Sequence, residues 1–572
     1  MTNEMIVIDG ESLTIEEIVS IKEFSTKVRL SDESMNSINE SRKLVEKIVS
    51  SGEVVYGINT GFGALSNVTV PSEQLEQLQS NLIRSHACGV GEKMDPDSVL
   101  MMMLVRVNSL AKGNSGARLE LVQLLIDMIN SRISPIIPRI GSLGASGDLA
   151  PLSHMTLAMM GESDVQVQNQ DGTWTTGKSL DMLNKFKLKP IKLQAKEGLS
   201  LINGTSQMCS YLCQSIFNCE MLIFAADAAL ATSVEAIKGS YVAFDQRIHD
   251  VRPQYGQTVS ASRIRGFLVN SDINKSHIDC DRVQDSYSFR CAPQVHGPMI
   301  DILREARRIL TIEINSATDN PLVFSNNGKA EVISGGNFHG QILALTSDNM
   351  AVCIHEIASI SERRINQVLD PQWSNQKAFL ANNQGLESGL MIVQYVAAAV
   401  IAELSLLSNP VTTTNIPVSM GKEDHVSMGA TGAFRTFKSS KTLFNSLAFL
   451  SPELTNSISL RSALDFSSAV IKNLKSASGK TTVPMSLPSR MQSVSLAICL
   501  WIFTMKSLTI FIALTSLTFS LIPLVRIRSV TLLLLSIKTV LFFELENLNF
   551  KDSKKSVIDL VSLKFIWLLI NP

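Results

Sequence analysis

The chain has 572 residues, 45% hydrophobic and 18% charged, and its 51 basic and 52 acidic side chains leave a formal net charge of -1. That length can bury large cores and allows several domains. The balanced charge offers no global field to nucleic acid or to an acidic membrane surface, which leaves small molecules as the expected partners.

In the first twenty residues, MTNEMIVIDGESLTIEEIVS, acids stand where a secretory signal has a basic start and a continuous apolar core, so the stretch does not read as a signal peptide. The eight cysteines include no CxxC pair. Cys209, Cys213 and Cys219 read as scattered thiols of a helix, with no metal site and no disulfide frame, which favours a reducing, cytoplasmic compartment. Two glycosylation sequons, at Asn67 and Asn203, are incidental without secretion.

From 53 to 67 the sequence EVVYGINTGFGALSN is a short apolar run followed by glycines at 57, 61 and 63. It predicts a strand leading into a mobile loop, a lid with Tyr56 at its base as a proton-transfer group. The spacing is not G-x-G-x-x-G, so no phosphate cradle is expected. Helices follow. Asp95 and Pro96 suit an N-cap and first helical residue, Leu100, Met103, Leu104 and Val107 recur at helical spacing, and Lys112-Gly113 is a fitting stop. Similar periodicity predicts helices over 119–129, 209–236, 298–314 and 341–369, with Asp319-Asn320-Pro321 as a turn between the last two. Apolar stripes wider than one bundle can cover predict association between chains.

Between these helices the run 141–154, GSLGASGDLAPLSH, combines two glycines with the small residues Ala145, Ser146 and Gly147. Gly144 and Gly147 predict a tight turn in which an amide nitrogen approaches a nearby carbonyl carbon, a geometry that permits an internal ring. The same composition also describes an ordinary Gly/Ser turn before a helix. A nucleophile elbow needs G-x-S-x-G, and here the second glycine comes one residue early. Short polar clusters that helix packing does not require hold Tyr56, His86, Asn203, Gln284, Tyr287, Arg290, Phe338 and Glu423. Taken singly, Arg290 is a surface or ion-paired arginine, His86 a satisfied histidine and Phe338 a core residue.

Together the clusters say more. YGINTGFGALSN (56–67), NLIRSHACGVGE (81–92), GSLGASGDLAPLSH, EGLSLINGTSQM (197–208), VQDSYSFRCAPQVHG (283–297), NSATDNPLVF (315–324), SGGNFHG (334–340) and KEDHVSMG (422–429) run in order over most of the chain. With them the sequence resembles the aromatic amino acid lyase family. The resemblance implies a mainly α fold, a large helical bundle with a smaller mixed N-terminal part carrying the Ala145-Ser146-Gly147 loop. It also implies that this tripeptide cyclises and dehydrates autocatalytically into 4-methylidene-imidazol-5-one, with no external cofactor and no metal. Such a group is a carbon electrophile that ordinary side chains do not provide, and it makes the substrate nitrogen a better leaving group. By the same resemblance Tyr56 is the base, provided its surroundings lower its pKa. Arg290 anchors the substrate carboxylate. Asn203, Tyr287 and Gln284 hold the ring oxygen and the substrate, and Phe338 is an apolar wall.

Substrate choice also leaves marks. Family members acting on phenylalanine or tyrosine carry Phe-Leu or His-Leu where this chain has Ser85-His86, and an amide where it has Glu423, whose carboxylate suits an imidazole. Both marks imply L-histidine as substrate, with urocanate and ammonia as products, and the family resemblance implies a homotetramer with active sites shared between subunits. A tyrosine or phenylalanine ammonia-lyase or aminomutase, and an inactive membrane-anchored homologue, are the alternatives.

The expected organisation is an N-terminal domain over 1–200 with the prosthetic-group loop, a central long-helix bundle over 201–480, and an atypical tail over 481–572. Residues 451–477 keep helical spacing. Beyond Gly479 no glycine occurs, against 31 in the whole chain, and the stretch 493–525 carries a single charge, Lys506. It is long enough to span a bilayer. A membrane anchor is one reading. A coding sequence read through an intron or shifted in frame is the other, and it is preferred because an anchor has no role in a soluble lyase.

Overall fold

The computed structural model describes residues 5–278 and 283–457. The tail over 481–572, with its two readings, and the later part of the helical spacing over 451–477 lie outside them.

Helices form where apolar residues recur at helical spacing. The first long one, α1 (Pro96–Ala111), starts where Asp95 accepts the Ser98 N–H at 3.3 Å and Pro96 occupies the first turn. The bundle continues with α2 (Ser206–Ala236), α3 (Tyr255–Leu268), α4 (Ala292–Glu313), α5 (Gln341–Leu369), α6 (Met391–Leu407) and α7 (Gly429–Ser457). Helix α4 begins ahead of Pro298, the residue that marked its expected start. Pro293 takes the first turn, and the buried side chains of Ala292 and His296 hold the turns before Pro298, which is carried inside the helix. The helix Leu119–Asn130 agrees with its expected span.

The strand and mobile loop expected over 53–67 fold instead as successive turns and a 3-10 turn at Gly63–Leu65. The Asn59 side chain is the reason. It accepts from the Val55 N–H and donates to the Glu53 carbonyl, both at 2.8 Å, so it satisfies backbone groups that a strand would have paired with a neighbour.

Helix α2 runs through the centre and packs against α1, α3, α4, α5 and α7. Around its buried Tyr211, the ring of Phe434 meets edge-on at 5.5 Å and that of Phe437 stacks at 5.4 Å. Helix α1 is buried on every side, which is why its sequence is apolar all round instead of striped. Among the described residues α2 alone is long and apolar enough to cross a membrane, and half of its apolar window is buried inside the protein.

The strands are few and short. Met5–Ile8 pairs in parallel with Lys27–Leu30, Asp164–Gln168 lies antiparallel between Ile133–Pro135 and Trp174–Lys178, Val90–Lys93 pairs with Pro138–Ile140, and Leu322–Asn326 forms a hairpin with Lys329–Ile333. The fold is thus mainly α, with most of the mixed structure in the N-terminal part. One continuous hydrophobic core, from Ile6 to Leu443, joins that part to the bundle.

Candidate active site

The loop carrying Ala145, Ser146 and Gly147 lies between the end of Pro138–Ile140 and the helix Leu149–Met159. It is tied to the start of α2. Asn203 Nδ2 donates to the Ser146 carbonyl oxygen at 2.7 Å, and the Asp148 N–H donates to the Gly204 carbonyl at 2.7 Å. Gly147 (φ +75°) and Gly204 (φ +150°) face each other backbone to backbone, and a Cβ on Gly147 would run into the Gly204 carbonyl. Only glycine fits either place.

Asp148 is buried beneath the turn. Its Oδ2 accepts the first N–H groups of α2, Gln207 at 2.8 Å and Met208 at 3.1 Å. Ser142 Oγ lies 3.1 Å from the Gly147 carbonyl and 3.0 Å from Asp148 Oδ1. A hydroxyl has one hydrogen for these two acceptors, and a proton on Asp148 Oδ1 resolves the conflict. Burial works the same way and pushes the Asp148 carboxyl up to about 7, against the opposing hydrogen bonds from Met208, Ser142 and Gln207. The folded chain therefore binds this proton more tightly than the unfolded one. Its stabilisation is complete below about pH 4 and is lost as pH rises through about 7. Asp148→Asn keeps a neutral side chain, so from about pH 5 to about pH 8 denaturant unfolding is expected to show it gaining about 3 kcal/mol relative to the parent. Parallel stability curves for the two proteins would place no proton on Asp148.

Two further stretches of chain close on the loop. Ser427 Oγ and the Gly340 N–H donate to the Gly144 carbonyl at 2.9 and 3.0 Å, and the Met428 N–H donates to the Leu143 carbonyl at 2.8 Å. Ala145 packs on Val426 and Met428. Ser419, Met420 and Met428 hold positive φ without being glycine, so this segment carries local backbone strain. Two residues before Gly340 stands Phe338, half-buried, and the neighbouring His339 stacks on His425 with ring centres 5.8 Å apart.

The same 418–429 segment brings Glu423 to Tyr56 and His86. Burial lowers the pKa of His86, while the Leu82 carbonyl and the Glu423 carboxylate act against it, and Ser85 Oγ lies 2.9 Å from its Nδ1. Burial raises the Tyr56 phenol, the Gly63 N–H pulls it down, and Glu423 raises it further. The condition attached to Tyr56 as a base, a lowered pKa, is not met within one chain, because burial and then the Glu423 carboxylate both raise it.

Gln284, Tyr287 and Arg290 stand elsewhere. Tyr287–Arg290 is a single helical turn whose preceding Asp285 accepts the Ser240 N–H at 2.6 Å, just past the C-terminal end of α2. The Asn203–Gly204 contacts lie at the other end of α2, and its 31 residues separate the two groups by about 46 Å. Tyr287 is 70% exposed and Gln284 is exposed. Arg290 Nε donates to the Asp285 carbonyl at 3.0 Å, and the guanidinium lies over the Tyr287 ring at 4.6 Å. Beneath this turn runs a buried polar chain. Asp227 Oδ1 accepts from Ser260 Oγ at 2.6 Å and from His296 Nδ1 at 2.8 Å, and Arg364 donates to His296 Nε2 at 3.3 Å and to the Ser288 carbonyl at 3.4 Å.

Sequence reasoning missed Asp148, Ser427, Asp227, His296, Arg364 and Arg106. Asp148 and His296 sit inside stretches singled out above, yet nothing in their spacing announces a buried partner. Arg106 did leave a signal, a lone charge in the apolar run from Val99 to Val107. Among the described residues no three or more His, Cys, Asp or Glu side chains gather as a metal site.

Residues 13–479 match the family model of aromatic amino acid lyase, ending at the chain's last glycine. A histidine ammonia-lyase of Myxococcus xanthus is 44% identical over 435 residues, covering 76% of this chain and 84% of that protein. The crystal structure of histidine ammonia-lyase from Trypanosoma cruzi superposes with a TM-score of 0.72 at 39% identity, over 79% of this chain and 84% of that one. A tyrosine aminomutase from Streptomyces globisporus superposes with a TM-score of 0.71 at 32% identity, over 81% and 88% of the two chains.

Proposed function

The chain belongs to the aromatic amino acid lyase family, and on that footing we propose that it works as a homotetrameric histidine ammonia-lyase, converting L-histidine to trans-urocanate and ammonia. The observation that carries the reading is the 2.7 Å hydrogen bond from Asn203 Nδ2 to the Ser146 carbonyl oxygen. A ring closed between the Gly147 nitrogen and the Ala145 carbonyl carbon keeps the Ser146 oxygen and discards that of Ala145. A donor fixed on Ser146 therefore suits 4-methylidene-imidazol-5-one, as does the absence of any side chain at Gly147. When formed, this group supplies an electrophilic carbon for the substrate amine, so no external cofactor is called for.

The chain's own residues do the rest. Glu423, beside His86, offers a carboxylate to the substrate imidazole, the feature that favours histidine over tyrosine or phenylalanine. Phe338 walls the apolar side. Tyr56 Oη takes the β proton, and the cation it lacks within one chain is Arg290 of another copy, which also holds the substrate carboxylate. Tyr287 and Gln284 arrive with it. This division follows from the length of α2, since one chain cannot bring both of its ends to one substrate. The exposed Ile392, Tyr395, Val396 and Leu406 of α6 offer apolar surface for the association. The six described cysteines are all free thiols, in keeping with a reducing cytoplasm.

Expression of the full chain tests the reading directly. A soluble, folded preparation should show the near-ultraviolet absorption of the methylidene ring and release urocanate from histidine; a folded preparation without the absorption would sink it. Glu423→Gln should lower kcat/KM for histidine at least about tenfold, the worth of a charge-assisted hydrogen bond, with a melting temperature close to the parent's. Unchanged turnover would remove Glu423 from the imidazole site.

A further inference from the structure

Arg106 is fully buried in α1, an expensive place for a guanidinium. It has one hydrogen bond, from Nη1 to the Asn203 carbonyl at 2.7 Å, and its Nε and Nη2 find no acceptor among the described residues. Its charge faces Asp319, which is itself paired with the buried Lys196 at 2.8 Å. Two cations thus share one carboxylate beneath the ring-forming loop. An apolar side chain would fill the same space without the cost of a buried charge, so packing alone does not account for an arginine here.

The carbonyl that Arg106 holds is the back of the dipeptide whose front touches the loop twice. Asn203 Nδ2 reaches the Ser146 oxygen, and the Gly204 oxygen accepts from Asp148 N, each at 2.7 Å. Gly204, at φ +150°, has no side chain to fix the orientation of that peptide plane. On the side away from the loop, Arg106 and Thr318 crowd the place where a Cβ would stand.

We propose that Arg106 is a positioning residue for formation of the prosthetic ring: it locks the Asn203–Gly204 peptide so that this dipeptide holds Ser146 and Asp148 in the cyclising turn. The inference rests on the function proposed above. In the step it serves, the Gly147 nitrogen bonds to the Ala145 carbonyl carbon. The Ala145 oxygen leaves as water with the hydrogens of the Gly147 and Ser146 nitrogens, leaving a double bond from the Ala145 carbon to the Ser146 nitrogen. Ser146 then loses its hydroxyl and its α hydrogen as a second water, leaving the methylidene. No oxidant or reductant enters.

The test reads mass, independent of turnover. Trypsin releases the fragment 140–178, which contains the loop, and in the parent chain it should be lighter than its sequence by two water molecules. Arg106→Met should be folded by circular dichroism, yet its converted fraction should be at least about tenfold lower, matching a loss of about 1.4 kcal/mol in positioning. Arg106→Lys, which keeps the charge but not the reach, should fall between the two. Full conversion in folded Arg106→Met overturns the inference, and if that variant is insoluble, parent-like conversion in Arg106→Lys does so. A merely structural arginine would lower yield and melting temperature while leaving the folded fraction fully converted, which also counts against it. An unconverted parent fragment removes the proposed function and this inference together, whereas a converted parent with a converted variant removes the inference alone.

Discussion

Ser146→Ala is expected to lower urocanate production by at least about a thousandfold, roughly 4 kcal/mol of barrier, with the fold intact. Ser146 Oγ makes no hydrogen bond to any described residue and the side chain is half-buried, so its removal should change stability by no more than about 1 kcal/mol. On the function proposed above, the hydroxyl matters only because it leaves. With alanine in its place the turn can lose the first water but not the second, so the fragment 140–178 should be lighter by at most one water and the near-ultraviolet band should vanish. Appreciable turnover in this variant would show that ammonia departs without the methylidene.

The second large effect is a rescue. Ser146→Ala and Arg290→Gln should each be nearly inactive alone, yet chains of the two kinds refolded together should regain activity. Each variant spoils one end of α2 and leaves the other intact, so a site that draws the loop from an Arg290→Gln chain and the anchor from a Ser146→Ala chain is whole. With random pairing of the two halves, about a quarter of the sites should be whole, and turnover should reach about that share of the parent's. Mixed assemblies as inactive as either variant would mean that both halves serve one substrate within a single chain, against the separation of about 46 Å along α2.

Local order was legible in the sequence where it depends on neighbours in the chain. Asp95, Pro96 and the apolar repeat from Leu100 to Val107 specify α1 almost to the residue, and the small residues around Ser146 announce a turn with glycine-only backbone. Where a side chain from nearby intervenes, the pattern misled: Asn59 turns a strand-like run into a string of turns. The candidate residues were gathered by family resemblance, and spacing alone could not have sorted them. Tyr56, His86 and Glu423 meet because 418–429 folds back over the loop, whereas Gln284, Tyr287 and Arg290 lie apart from them because the 31 residues of α2 stand between. Partners that satisfy buried charge are the least legible of all. Asp148, Arg106 and His296 are each held by groups from distant parts of the chain, and such pairings come from packing.

On the function proposed above, the ties between the loop and the start of α2 also bear on when a reactive alkene can arise in the chain. Ser146 is held by Asn203, and Asp148 by Gly204, Gln207 and Met208, all at or just before the first turn of the central helix. On the function proposed above, a nascent chain that lacks that arrangement keeps an ordinary serine, inert toward glutathione and toward its neighbours' cysteines. Arming then waits on correct assembly of the core, and a chain that never folds carries no warhead.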